Sequence, residues 1–564
     1  MARIVIDPVT RIEGHLRIEA EVNNGALRDA WVSGTMFRGI ELILKDRDPR
    51  DAWYFTQRIC GVCTAVHALA SVRAVENALG IVIPENAQLI RNLMAGMQLV
   101  HDHVMHFYHL HALDWVDVTS ALDADPQKTS ALQESLSSWP RSNSKYFKEV
   151  KNKLKTFVES GQLGIFANGY WGHPAYKLPP EANLLAFAHY LEALDWQKDV
   201  VRLITVLGGR HPTPNFLVGG MATPINPDNV RAINADRLAL IQQTIQEADS
   251  FVKNVYFPDL VAIASFYPEW TELGEGLGNF LACGDFPLTN GLYLPGGVIL
   301  NRNLADVEPF ASQKVTEYVT HSWYADPASD NKARHPHEGE TIPGFTGPKP
   351  PYEYLDVEKK YSWIKAPRYE DYAVEVGPLS RVLVAYAKGQ SRVTEMVDYS
   401  LEKLGVEKPA LFSTLGRTLA RGIETAVIAE ELSTWFNELV DNIDKGDYKT
   451  INGEKWEPDT WPREAEGAGF AEAPRGALGH WVKIEAGKIA HYQAVVPTTW
   501  NASPRDAHAR KGACEAALIG TQVADPEKPL EVLRTIHSFD PCTACAVHLY
   551  DASKHEFSKI NVPG

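Results

Sequence analysis

Apolar and polar residues alternate from Arg3 to about Lys45, with a turn signal at Asn23–Gly25. A period of two predicts short strands there, joined as a hairpin. From about Tyr54 to Leu79 the apolar positions recur at helical spacing, and Gly80 marks the stop. "AQLIRNLMAGMQLVHDHVMHFYHLHALDWV" keeps that spacing for 30 residues, the length of a bundle core helix. Further helices are predicted over 181–207, 228–255 and 393–443. The middle changes character: "GFTGPKPPYEYLDVEKKYSWIKAPRYED" is rich in Pro, Gly and Tyr and predicts loops with short strands. "HWVKIEAGKIAHYQAVVPTTW" predicts a hairpin turning at Ala486–Gly487. No internal repeat or flexible linker breaks the pattern. The expected fold is α+β and predominantly α: a long central helix bundle with peripheral β hairpins, in a single interlocked unit.

A formal net charge of −16 argues against nucleic acid as a partner, because phosphate binding needs a basic footprint. No run of 18 apolar residues predicts a membrane span. "MARIVIDPVTRIEGH" lacks the apolar region of a signal peptide. Neither a P-loop nor a G-x-G-x-x-G in strand–helix context is present; "GEGLGNF" only approximates the latter.

Cysteine is the residue type that changes the picture. There are six, and four lie in two C-x-x-C pairs at opposite ends, Cys60/Cys63 and Cys542/Cys545. On a helix or tight turn, residues i and i+3 face one way, so each pair presents two sulfurs to one metal. One pair alone reads equally as a redox dithiol or two buried thiols. Four thiolates favour zinc or iron–sulfur. The separation of the pairs counts against a local zinc knuckle, and spacing by itself does not point to nickel. Cys283 and Cys514 have no motif partner and are expected to be buried structural thiols. His101, His103, His106, His109 and His111 spread around their helix, with no H-E-x-x-H, and are expected to pack and hydrogen-bond.

The flanking residues are more specific. "RICGVCTAVHALASVRAVE", "SFDPCTACAVH", "VTRIEGH", "GTMFRGIE", "EVGPLSR", "EAPRGALGHW" and "YQAVVPTTWN" closely resemble the large subunit of nickel–iron hydrogenases, nearest the uptake-type, membrane-associated group. The resemblance covers essentially the whole chain. It implies the large-subunit fold and reversible splitting of dihydrogen into protons and electrons. It implies that Cys60, Cys63, Cys542 and Cys545 hold nickel, with Cys63 and Cys545 bridging to an iron that carries cyanide and carbonyl. Splitting dihydrogen heterolytically needs a base, and the resemblance offers the Cys542 thiolate. Arg475 is the rival, but a guanidinium is almost always protonated. Glu13 matches a proton-gate carboxylate that receives the proton from Cys542, a role suited to a partly buried carboxyl. Read without the resemblance, Glu13 is a surface carboxylate paired with Arg11 or Arg17. His67 would hydrogen-bond a bridging sulfur. Asp102 and Asp540 would flank Arg475, and Pro474, Pro497 and Thr498 would line the pocket of the diatomic ligands, with Thr498 donating to a cyanide. His211 matches a histidine near the partner's first cluster.

The resemblance also implies a use for the C-terminal tail. An endopeptidase, acting with nickel-insertion proteins, would cut after His548 and remove 549–564, leaving 1–548 as the mature unit. The trimmed end would then fold in to close the site, and His548 would bind magnesium with Glu41 and the Ala494 carbonyl. No cysteines remain here for an electron-carrying cluster. An iron–sulfur small subunit is therefore expected as partner, in a heterodimer or a dimer of heterodimers linked to the membrane through partner subunits. The small subunit's signal would export both to the periplasmic side. A dihydrogen sensor and a structural-zinc interaction protein are the alternatives from other classes.

Overall fold

The computed structural model describes residues 2–161, 166, 169–349 and 353–543. Ala2–Ile6, Leu16–Asn23 and Ala26–Gly34 form β1, β2 and β3, an antiparallel sheet in that order. The predicted hairpin turns at Asn24 and Gly25, with φ of 52° and 78°. Two successive positive φ values suit a two-residue hairpin turn, and Asn and Gly tolerate them best. The alternation does not persist to residue 45. Ile40–Leu44 is a short helix, because Ile40 and Leu44 are buried at helical spacing.

The helix expected over Tyr54–Leu79 is broken. Ala52–Thr56 is helical, the stretch around Arg58–Cys63 is not, and α1 runs over Thr64–Leu79 to Gly80. The long periodic segment forms α2, Glu85–Met105, and continues as a wide turn over His106–His111 and a tight one over Ala112–Asp114. α3 spans Pro180–Gly208. α4 spans Ala235–Phe251, later than expected, because Asn234 caps it by accepting from the Arg237 N–H. The 393–443 prediction divides into Ser391–Leu404 and α5, Thr414–Asp444, whose cap is Ser413.

Glu464–Ala473, Gly476–Glu485 and Lys488–Val495 form β4, β5 and β6, a second antiparallel sheet. Its β5–β6 turn falls at Ala486–Gly487, as the sequence predicts. α6, Leu530–Ser538, precedes the C-terminal cysteines.

α2 packs against α5 and α3, and α1 packs against β4. One hydrophobic core runs through α1, α2, α3 and α5 and includes Cys60, Cys63 and Cys542. A second core joins the first sheet to α6 through Leu16, Ile18, Val532, Leu533 and Ile536. That second core carries the N-terminal and C-terminal segments to the same place. Among the described residues no helix is long and apolar enough to cross a membrane.

Candidate metal centre

Cys60 lies in the non-helical turn before α1, and Cys63 is the N-cap residue immediately before α1. The Cys60 sulfur accepts the backbone N–H groups of Val62 (3.2 Å) and Cys63 (2.9 Å). Two donors aimed at one sulfur stabilise its thiolate form. A helix through Cys60 would direct those N–H groups to carbonyls instead, which explains the break. Arg38 clamps the turn from outside by donating to the carbonyls of Arg58 and Ile59. Gln98 holds the Val62 carbonyl at 3.0 Å.

Cys542 arrives from the opposite end of the chain. After α6 the backbone turns at Asp540, whose φ is 52°, and Cys542 pairs with Glu13 in a short parallel bridge. The Thr543 N–H donates to the Glu13 carbonyl at 2.8 Å. The Cys542 sulfur lies 3.3 Å from the Cys60 sulfur and 3.1 Å from Glu13 Oε2. The sulfurs of Cys60, Cys63 and Cys542 all lie within 4.8 Å of one another, and all three cysteines are buried. Cys545 and His548 lie outside the described residues.

Arg475 stands over the sulfurs at the β4–β5 turn, wholly buried. Asp102 Oδ2 is 3.3 Å from Nη1 and Asp540 Oδ1 is 3.2 Å from Nη2. Burial weighs against its charge. Asp540, Cys542, Cys63 and Asp102 nevertheless hold the guanidinium well above its ordinary pKa. It is thus a fixed cation facing the thiols, which bars it from acting as a base. The turn beneath it is closely packed. A Cβ on Gly476 would lie 2.7 Å from the Gly377 nitrogen, so the "EVGPLSR" and "EAPRG" segments touch backbone to backbone. Arg381 of the first segment donates to the carbonyls of Ala473 (2.8 Å) and Pro474 (3.1 Å).

The remaining expected residues fall nearby, with differences. Pro497 opens the short helix Pro497–Asn501. Thr498 Oγ1 accepts the Cys542 N–H at 3.0 Å, so this hydroxyl positions the Cys542 backbone. His67 is buried, which holds its pKa down at about 4. Its Nδ1 meets His480 Nε2 at 3.3 Å, and His480 Nδ1 meets the Tyr492 hydroxyl at 2.7 Å. Glu41 Oε1 accepts the Ala494 N–H at 3.0 Å, and its Oε2 is bonded to Thr341. Lys365 sits beside them, 2.6 Å from Gln493 Oε1 and 3.4 Å from Glu317. Cys283 and Cys514 are buried, as expected. The histidines of the long helix are also paired: His103 with Glu424 (2.8 Å) and His109 with the Tyr190 carbonyl (3.1 Å).

Arg38, His480, Lys365 and Arg381 contact the candidate site or its immediate neighbours and are left unnamed by the sequence reasoning. Arg38, His480 and Arg381 lie inside quoted motifs, so their motif membership was the available signal. Lys365 carries none.

Three buried cysteine sulfurs, with a fixed guanidinium and a carboxylate at hydrogen-bond distance, make a candidate soft-metal centre. The comparisons make this specific. The nickel-dependent hydrogenase family profile matches residues 38–548, and a HoxL-like profile matches residues 3–33. The chain is 55% identical to the uptake hydrogenase large subunit of Bradyrhizobium diazoefficiens, over 99% of this chain and 97% of that one. It is 51% identical to the Hydrogenase-1 large chain of Escherichia coli K12, with the same coverage. Among solved structures, the Ni-Fe-Se hydrogenase from D. vulgaris Hildenborough aligns with a TM-score of 0.77 at 33% identity, covering 97% of this chain and 100% of that one. This chain belongs to the nickel-dependent hydrogenase family.

Proposed function

We infer that this chain splits dihydrogen into protons and electrons, as the catalytic large subunit of a hydrogenase with a small-subunit partner. The observation that carries this reading is the meeting of Cys60 and Cys542, 3.3 Å apart, with Glu13 and Arg475 against them. The residues fit a nickel–iron centre: soft sulfurs, buried, with one stabilised as thiolate. Cys60, Cys63 and Cys542 would hold it, with Cys545 as the fourth ligand. When bound, the centre supplies the soft-metal chemistry that polarises dihydrogen and takes up its electrons.

The protein's own part is the proton. The Cys542 sulfur is the base, and Glu13 Oε2, at 3.1 Å, is within direct transfer distance. Arg475 contributes fixed positive charge over the reacting space, which favours the thiolate. Pro474, Pro497 and Thr498 would shape the pocket for cyanide and carbonyl on iron, and His67 would hydrogen-bond a bridging sulfur. Glu41 and the Ala494 backbone, already in contact, would hold magnesium together with His548. The packing of α2 between α3 and α5 supports reading these helices as the central bundle of the large-subunit fold. Residues 1–548 would form the mature unit and 549–564 the piece removed after metal insertion. Iron–sulfur clusters in the small subunit would carry electrons out, on the periplasmic side of the membrane.

Infrared spectroscopy and metal analysis of the purified heterodimer test the reading together. Cyanide and carbonyl stretches are expected, together with nickel, and with iron in excess of nickel because the small subunit's clusters add to it. Zinc alone, without those bands, overturns it.

A further inference from the structure

Glu13 and Cys542 both sit on irregular backbone. Arg11 and Asp540 have positive φ (56° and 52°), and the two segments share one isolated bridge rather than a ladder. Something must fix their spacing, and a third element behind the metal pocket touches both. Asp114 is wholly buried where the long helix ends. Its Oδ1 accepts from Arg11 Nη2 at 2.5 Å, and its Oδ2 faces His537 Nδ1 at 2.6 Å and His111 Nδ1 at 3.3 Å. Arg11 donates further to the Leu110 carbonyl at 2.5 Å. His537 Nε2 lies 2.9 Å from the Thr10 carbonyl.

Donor counting fixes the protons. The Trp115 indole can only donate, and it meets His111 Nε2 at 3.1 Å. The single proton of a neutral His111 is therefore on Nδ1, facing Asp114. The Thr10 carbonyl can only accept, so His537 Nε2 carries a proton. Burial alone would raise the Asp114 carboxyl, but the Arg11 guanidinium beside it, the foremost lowering influence, holds it well below the usual range. As a carboxylate it only accepts, so His537 Nδ1 carries a proton too. His537 is then an imidazolium between a carboxylate and a carbonyl. His111, Asp114 and His537 stand close enough to hold an ion. All four ring nitrogens already have partners, which makes the cluster a clamp rather than a ligand set.

We propose that Asp114 and a doubly protonated His537 are positioning residues of the proton gate. Together they tie the Thr10–Glu13 segment to the last turn of α6, from which the chain runs directly to Cys542, and so hold Glu13 Oε2 3.1 Å from the Cys542 sulfur. The clamp rests on the reading of Glu13 as the gate. Proton transfer needs that spacing, and a displacement of about 1 Å costs roughly 100-fold.

Two measurements decide it. Neutron diffraction from the perdeuterated heterodimer is expected to show deuterium on both ring nitrogens of His537; a single ring deuteron overturns the proposal. The second compares two hydrogen reactions in metal-loaded Asp114→Asn and His537→Gln heterodimers. Conversion of para- to ortho-hydrogen needs only splitting and rejoining at the metals. Exchange with solvent deuterium also needs the gate. The ratio of exchange to conversion is expected to fall about tenfold or more, with nickel and iron retained, whereas general damage lowers both rates together. An unchanged ratio overturns the clamp. If either variant fails to take up nickel, Arg11→Lys, which keeps the charge but loses the fork, is read the same way. Glu13→Gln separates the two layers. If it leaves the ratio unchanged, the gate reading falls. If it lowers the ratio while Asp114→Asn does not, only the clamp falls.

Discussion

His103 and His111 lie wholly buried on the segment that runs from α2 to Asp114, and burial holds both neutral, with pKa values of about 4. In the unfolded chain each titrates near 6.5. Between those values the unfolded state binds more protons than the folded one. Stability is therefore full above about pH 6.5 and falls as pH drops toward 4, by about 1.4 kcal/mol per pH unit for each histidine. Glu424, the partner of His103, has its pKa held near 2: burial opposes its charge, and Arg381 and His103 more than compensate. Its own contribution is lost only in stronger acid, below about pH 4.5. Thermal midpoints measured from pH 7 to 4.5 are expected to fall steeply in the wild type and less steeply in His103→Gln. Parallel curves for the two would refute the assignment. At this scale the sequence is most legible where chemistry is rare. Four paired cysteines among six announce a metal site, and a glutamate in "RIEGH" announces a gate only through resemblance. Lys365 stays hidden because it lies in no motif and its meaning rests on tertiary partners, Glu317, Thr341 and Gln493.

Among elements, the contact that orients Cys63 is the crossing of α1 and β4. It depends on glycine. A Cβ on Gly469 would stand 2.2 Å from the Ala70 carbonyl oxygen and 2.2 Å from the Ala74 nitrogen, both helix backbone that cannot step aside. Gly469→Val would therefore push the strand off the helix whose first residue follows Cys63. Overpacking of this kind costs about 1–3 kcal/mol or more. The variant is expected to melt lower and to load less nickel, measured by calorimetry and metal analysis; a wild-type melting point would refute the close crossing. The glycines that permit the crossing also hide β4 from a reading of periodicity. Six of that strand's ten residues are alanine or glycine, small residues that carry no alternation signal. The long helices were legible because sustained periodicity has one interpretation. The break at Arg58–Cys63 was not, because a sulfur competing for backbone N–H groups is a tertiary choice.

For the molecule as a whole, the question is whether metal builds the fold or enters a fold already built. The two cysteine segments are 482 positions apart in sequence, from Cys60 to Cys542, so a metal joining them closes most of the chain. A structural zinc in a small domain supplies the folding energy itself, and its removal unfolds the protein. Here the principal core runs through α1, α2, α3 and α5, and the second core seats α6 on the first sheet without any sulfur ligand. Arg475 is paired with Asp102 and Asp540, and the Glu13–Thr543 backbone bond needs no ion. The scaffold therefore stands before the centre is assembled. Protein produced without nickel is expected to keep its helical circular dichroism and a cooperative thermal transition. Hydrogen exchange should quicken only around Phe539–Thr543 and Arg58–Cys63, where the sulfurs would lose their common ligand. A chain that is largely unfolded without nickel would mean that metal closure drives folding, and the cores described above would then be its consequence.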